Sequence, residues 1–149
     1  MVSRLVAMEA TGTVPGMDGR QLISSGSPYE LTVGYSRAVR IGDRVVVAGT
    51  APQWPDGTVD PDPAAQARRC FEIIGRALED AGASFADVVR SRVYLIDAGD
   101  FAPISGVHGE VFSDVRPAHT TVVVAALLDP QWKVEIEVEA VVPTDSAAR

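Results

Sequence analysis

A chain of 149 residues is one domain's worth, and its 46% hydrophobic and 22% charged residues suit a globular fold, not a disordered or fibrous one. A net charge of −7 runs against a nucleic-acid partner, whose phosphates are held by clustered cations. The single cysteine, Cys70, excludes an internal disulfide; with no apolar run of membrane-spanning length and no secretory leader, the expectation is a cytoplasmic protein with no membrane partner.

Residues 1–21 are mixed and Gly-rich and are read as an N-terminal extension whose order the sequence leaves open; one domain then covers 22–143, and 144–149 is a flexible tail. The runs Tyr35 to Ile41 and Arg44 to Ala48 read as a hairpin turned at Gly42-Asp43. A Gly/Pro-rich loop, 49–61, leads to the clearest element. Asp62 is placed to cap, Pro63 to start and Gly82 to stop a helix over 63–81, with Ala67, Cys70, Phe71, Ile74, Leu78 and Ala81 on one apolar face. Cys70 is therefore core. A strand over 88–96 follows, then a weaker helix over 101–113 whose buried face is drawn from Phe101, Ile104, Val107, Val111 and Phe112. Strands over 120–127 and 134–142 close a ββαβαββ order: an α+β domain with both helices on one face of a mixed sheet.

In the last strand Val134, Ile136, Val138, Ala140 and Val142 point one way and Glu135, Glu137 and Glu139 the other. Strand 120–127 is apolar on both faces after its threonines. Helices cover one face, and no third helix exists to cover the other. A second copy of the chain is the expected cover, hence a homo-oligomer.

No nucleotide-binding glycine motif, zinc-protease motif or nucleophile elbow is present. His108 and His119 lie on different elements, and with one cysteine they form no metal-ligand spacing, so a structural zinc is not expected. Of 13 cationic residues 12 are Arg, which leaves little room for a Schiff-base lysine; Lys133 sits among strand-like residues beside Trp132. The polar residues left at strand and loop edges are Tyr35, Thr50, Ser105, His119, Thr121 and Glu139.

Ordered stretches then carry a resemblance: VGYSRAV (33–39), VVVAGTAP (45–52), the block from Ala64 to Phe112 with its Gln-bearing helix and Ala-Gly turn, RPAHTTVVVAAL (116–127) and KVEIEVEAVV (133–142). Together the chain resembles the RidA (YjgF/YER057c/UK114) family over about residues 22–142. The resemblance implies a chorismate-mutase-like fold, a homotrimer with a central β-barrel, and small-molecule ligands held in clefts between subunits. It also implies cofactor-free hydrolysis of imine or enamine acids to keto acids and ammonia.

The family's carboxylate clamp is an Arg after Pro-Ala, and here His119 stands in that place. Thr121 stands where Cys is frequent, and Ser105 where Asn is frequent; Tyr35 and Glu139 match. The resemblance thus implies Glu139 and His119 as catalytic residues, Glu139 placing water. Tyr35, Ser105 and Thr121 follow as substrate contacts. An imidazole does not reproduce the two-pronged guanidinium, which points to a substrate other than a simple 2-imino carboxylate. Arg37, Arg92 and Arg116 are the substitute clamps to consider, Arg116 first because it precedes His119 by three residues. The alternative reading is a non-catalytic ligand-binding or regulatory trimer. An endoribonuclease, the family's older label, ranks last, because the chain is acidic and shows neither a basic groove nor a histidine pair.

Overall fold

The computed structural model describes residues 12–144. Helix α1 spans Pro63–Asp80, and its start is built as the sequence suggests: the Asp62 side chain accepts from Ala65 N at 2.8 Å, with Pro63 in the first turn. Gly82, at φ +74°, ends it in a backbone conformation that a Cβ would strain. Helix α2, Phe101–Phe112, buries Ile104, Val107 and Phe112. Phe101, expected inside, is half exposed, because the helix begins beyond the edge of the core.

Seven strands form one sheet in the order β1-β2-β3-β4-β7-β5-β6. They are β1 (Gly12–Pro15), β2 (Gln21–Ser24), β3 (Ala38–Ile41), β4 (Arg44–Thr50), β5 (Val88–Leu95), β6 (Ala118–Val123) and β7 (Val134–Val141). All neighbours are antiparallel except β5 and β6, so the sheet is mixed. Ile23, Val45, Val47, Val93, Leu95, Val134, Ile136 and Val138 pack under the two helices in a single core. The α+β reading, with both helices on one face, is what the molecule has.

Three departures are instructive. The stretch 12–24, read in part as an extension, adds a hairpin to the edge of β3, with Ile23 against Ala38 and buried; residues 1–11 and 145–149 lie outside the described residues. Its strands of four residues are too short to show alternation, and the turn between them uses positive φ at Asp18 and Gly19. Strand β3 begins at Ala38 and not at Tyr35, since one wide helical turn, Glu30–Gly34, occupies the approach. Strand β6 stops at Val123, four residues early. Among the described residues its only partner is β5, and once Val124 N has bonded Leu95 O at 2.7 Å the ladder has no further rung.

Strand β6 is open in the single chain: Val122 is 43% exposed and Val123 55%. The apolar character that asks for a cover is real, and nothing within the described residues supplies one.

Candidate functional site

The parallel register sets Ser91 of β5 beside His119 of β6. Side chains alternate along a strand, so Ser91, Val93 and Leu95 face the helices and His119 and Thr121 share that side. Helix α2 delivers His108 to the same place, in the stripe Ile104, His108, Phe112 at four-residue spacing.

The result is a chain of hydrogen bonds. His119 Nε2 lies 2.7 Å from Thr121 Oγ1, and His119 Nδ1 lies 2.8 Å from Ser91 Oγ. Ser91 Oγ in turn lies 2.9 Å from His108 Nε2. The two rings are 4.1 Å apart between centroids. His108 also packs on Phe112 at 4.7 Å and Phe71 at 6.1 Å. Ser91 is fully buried, whereas His119 opens to solvent.

Burial lowers the proton affinity of both histidines, because water no longer solvates the charged ring. For His108 burial is the larger cause and the charge of His119 the second, together bringing its pKa down to about 4. For His119 burial also dominates, opposed by an acceptor on the Ser91 backbone. Glu139 does not raise it.

Glu139 lies on the other face of the sheet. Its carboxylate binds Arg92 Nη1 at 3.1 Å and Arg44 Nη2 at 3.2 Å. Arg92 also reaches Glu137 at 3.3 Å, and Glu137 accepts from the Tyr94 hydroxyl at 2.7 Å. Tyr35 belongs to this face too. It lines an apolar depression with Leu22, Leu31, Val39 and Val46, and Val46 is the cross-strand neighbour of Glu139. Two side chains expected to act together, His119 and Glu139, are therefore separated by the sheet within one chain.

The remaining candidates fall as follows. Thr121 touches His119. Ser105 donates to Ala102 O at 3.1 Å within α2. Arg116, at φ +51°, binds Ser113 O at 3.3 Å and caps the turn after α2. Arg37 spans Ala48 O at 2.7 Å and Gly49 O at 2.6 Å, and Arg92 is held by glutamates. None of the three arginines clamps beside His119. Trp54 is covered by the Arg69 guanidinium at 3.9 Å from its ring. Among the described residues no group of three or more His, Cys, Asp or Glu is arranged to hold a metal.

Sequence reasoning missed Ser91 and His108, and its remark that no histidine pair exists is overturned by the 4.1 Å contact. Two signals were available. Position 108 completes the 104–112 stripe, and Ser91 is the one polar residue at an inward position of an otherwise apolar strand face.

The model of the family described as Endoribonuclease L-PSP matches residues 27–142. The chain belongs to the YjgF/RidA family. A crystal structure of a Mycobacterium tuberculosis member of the YjgF/YER057c/UK114 family superposes with TM-score 0.77 at 46% identity, covering 83% of this chain and 99% of that one. A 2-iminobutanoate/2-iminopropanoate deaminase of Escherichia coli K12 is 33% identical over 72% of this chain and 84% of its own length. A structure of Escherichia coli TdcF with bound serine has TM-score 0.69 at 32% identity, covering 73% of this chain and 88% of that one. Helices, sheet and strand order thus fit a YjgF/RidA fold, and β1 and β2 both lie ahead of the part that the family model matches.

Proposed function

We propose that this YjgF/RidA protein is a cytoplasmic homotrimer that binds a small molecule in clefts between subunits and hydrolyses an imine-like C=N bond there without a cofactor. The observation that carries this reading is the uncovered strand β6, with Val122 and Val123 exposed beside a hydrogen-bonded His119. A neighbouring copy packed along β6 brings its own Tyr35–Glu139 face toward His119 and Thr121, joining the two half-sites that the sheet separates within one chain. In such a cleft Glu139 places the attacking water, and His119 hydrogen-bonds the substrate with Thr121. Tyr35 closes over the substrate; Ser105 and Arg116 stand at the rim.

Relatives support the chemistry and the ligand class: one is named a 2-iminobutanoate/2-iminopropanoate deaminase and another holds serine. Because His119 replaces a forked cation by a ring with divergent nitrogens, the preferred substrate differs from a simple 2-imino carboxylate.

The test is release of keto acid from freshly generated 2-iminopropionate by the wild type, His119→Arg and Glu139→Gln. A nearly inert wild type, gain of activity in His119→Arg and its loss on adding Glu139→Gln support the reading. Full activity in the wild type refutes the altered substrate range. No activity in any variant, on this or related imines, favours a non-catalytic binding trimer. The histidine pair removes one objection to an endoribonuclease, but the net charge of −7 still opposes RNA as a substrate.

A further inference from the structure

We propose that His119, Ser91 and His108 form one acid–base unit that takes up and returns a single proton at His119, with Ser91 and His108 as its positioning residues. The inference takes its chemistry from the hydrolase reading above, but its first test does not depend on that reading.

A serine hydroxyl has one proton to give, and Ser91 Oγ is within hydrogen-bond distance of two ring nitrogens, 2.9 and 2.8 Å away. It therefore donates to one ring and accepts from the other. If Ser91 donates to His108 Nε2, His108 carries its proton on Nδ1, and His119 must donate from Nδ1. If Ser91 donates to His119 Nδ1, both rings carry their protons on Nε2. In either arrangement the two neutral rings share the same tautomer. Thr121 adapts to both, giving its hydroxyl proton to His119 Nε2 in the first and accepting from it in the second.

Adding a proton to His119 also satisfies every bond. Both ring N–H groups then donate, one to Thr121 and one to Ser91, and Ser91 passes its own proton to neutral His108. A second proton on His108 sets two cations with ring centroids 4.1 Å apart, one of them against Phe71 and Phe112. The pair thus holds one charge, and its place is the outer ring, which opens to solvent.

The groups facing the pair are Ser91 of β5, Thr121 of β6, Phe71 of α1 and Phe112 of α2. Glu110 of α2 is paired with Arg68 of α1, and Arg92 of β5 with the glutamates on the opposite face. Among the described residues burial, the charge of the neighbouring ring and Ser91, and no carboxylate, set the protonation of the two rings.

In hydrolysis of C=N the unit works twice. As the water oxygen bonds to carbon, the π pair moves to nitrogen; His119 accepts the water proton and hands it to that nitrogen, giving a carbinolamine. In the collapse His119 takes the hydroxyl proton and gives it to the departing nitrogen as the C–N bond breaks. A carbonyl and ammonia leave, and the ring ends neutral.

Nitrogen-15 NMR of the imidazoles in the full-length protein, from pH 8 to pH 4, tests the unit in the wild type, Ser91→Ala, His108→Phe and His108→Gln. The expected result is one shared tautomer in the wild type and one ring, His119, protonating before the other. Ser91→Ala and His108→Phe release the tautomer of His119. His108→Gln restores it, because the amide oxygen replaces Nε2 as an acceptor. Opposite tautomers in the wild type, a His119 ring indifferent to Ser91→Ala, or both rings charging together would overturn the proposal.

Imine hydrolysis by the same proteins and by His119→Gln adds the second arm. His119→Gln lowers kcat about 100-fold or more, the range for loss of a general acid–base. Ser91→Ala lowers kcat and shifts its pH profile, with KM little changed. Coupled rings without hydrolysis in any protein leave the unit standing and remove the deaminase reading; hydrolysis with uncoupled rings removes the unit.

Discussion

The two faces of the sheet use similar residues for opposite ends. On the helix face the inward positions are mostly apolar, Thr50 and Gln66 being buried exceptions, and at the margin Ser91 lies within hydrogen-bond distance of two histidines whose proton affinity is lowered. On the other face Glu137, Glu139, Arg44, Arg92 and Tyr94 meet in water, where ion pairs compete with solvent. Polar groups next to a dry core are costly unless fully bonded, so their geometry is fixed by the fold; on the wet face the same kinds of group are cheap to rearrange. The inter-subunit cleft proposed above would set a rigid acid–base group opposite an adaptable carboxylate.

That contrast is easiest to break in the core. Ile136→Ala, which empties a fully buried position, is expected to cost about 2–5 kcal/mol in urea unfolding, while truncations on the wet face cost far less. Next comes Gln66, the buried latch of the loops: its Nε2 donates to Asp60 O and Gln131 O at 2.8 and 2.9 Å, and its Oε1 accepts from Lys133 N at 2.8 Å. Gln66→Leu leaves those backbone groups unpaired and is expected to cost about 1–3 kcal/mol, read from the same unfolding curves.

The histidine pair predicts a pH effect. The folded state lowers the pKa of His108 from its ordinary 6.5 to about 4, so the unfolded chain binds more protons between those values. The stability that neutral His108 contributes is complete above about pH 6.5 and is lost as pH falls toward 4. Thermal unfolding across this range is expected to be less pH-sensitive in His108→Phe than in the wild type; equal slopes would show that the pair does not titrate as described. On the wet face Glu139→Gln changes stability by no more than about 1 kcal/mol. The chain's own secondary structure is affected least by Val122→Asp: circular dichroism is expected to stay unchanged while the mass in solution of the proposed trimer falls to that of a single chain. An unchanged mass would place the subunit contact elsewhere.

Much of this was legible in the residues. The α1 cap and stop, the alternation of 134–142 and the doubly apolar β6 each rest on local periodicity, which side-chain geometry forces on any helix or strand. The ordered motifs singled out His119, Thr121, Tyr35 and Glu139 as candidates. Less was legible where position depends on a partner strand. The early end of β6 follows from the length of β5, and the hairpin of 12–24 from an open edge on β3. Ser91 looked like an ordinary strand residue, and His108 like a polar interruption of a weak helix.

The sequence by itself determined the α+β class, the helix termini and which side of each strand is apolar, because these follow from spacings of two to four residues and from the backbone preferences of Pro, Gly and Asp. Tertiary structure decided that His119 and Glu139 stand on opposite faces, and that two histidines 11 positions apart come within 4.1 Å through a serine on a third element. Parallel pairing of β5 with β6 and the packing of α2 across them set those distances. Such pairings couple residues far apart in the chain, and they become favourable only when the whole core closes.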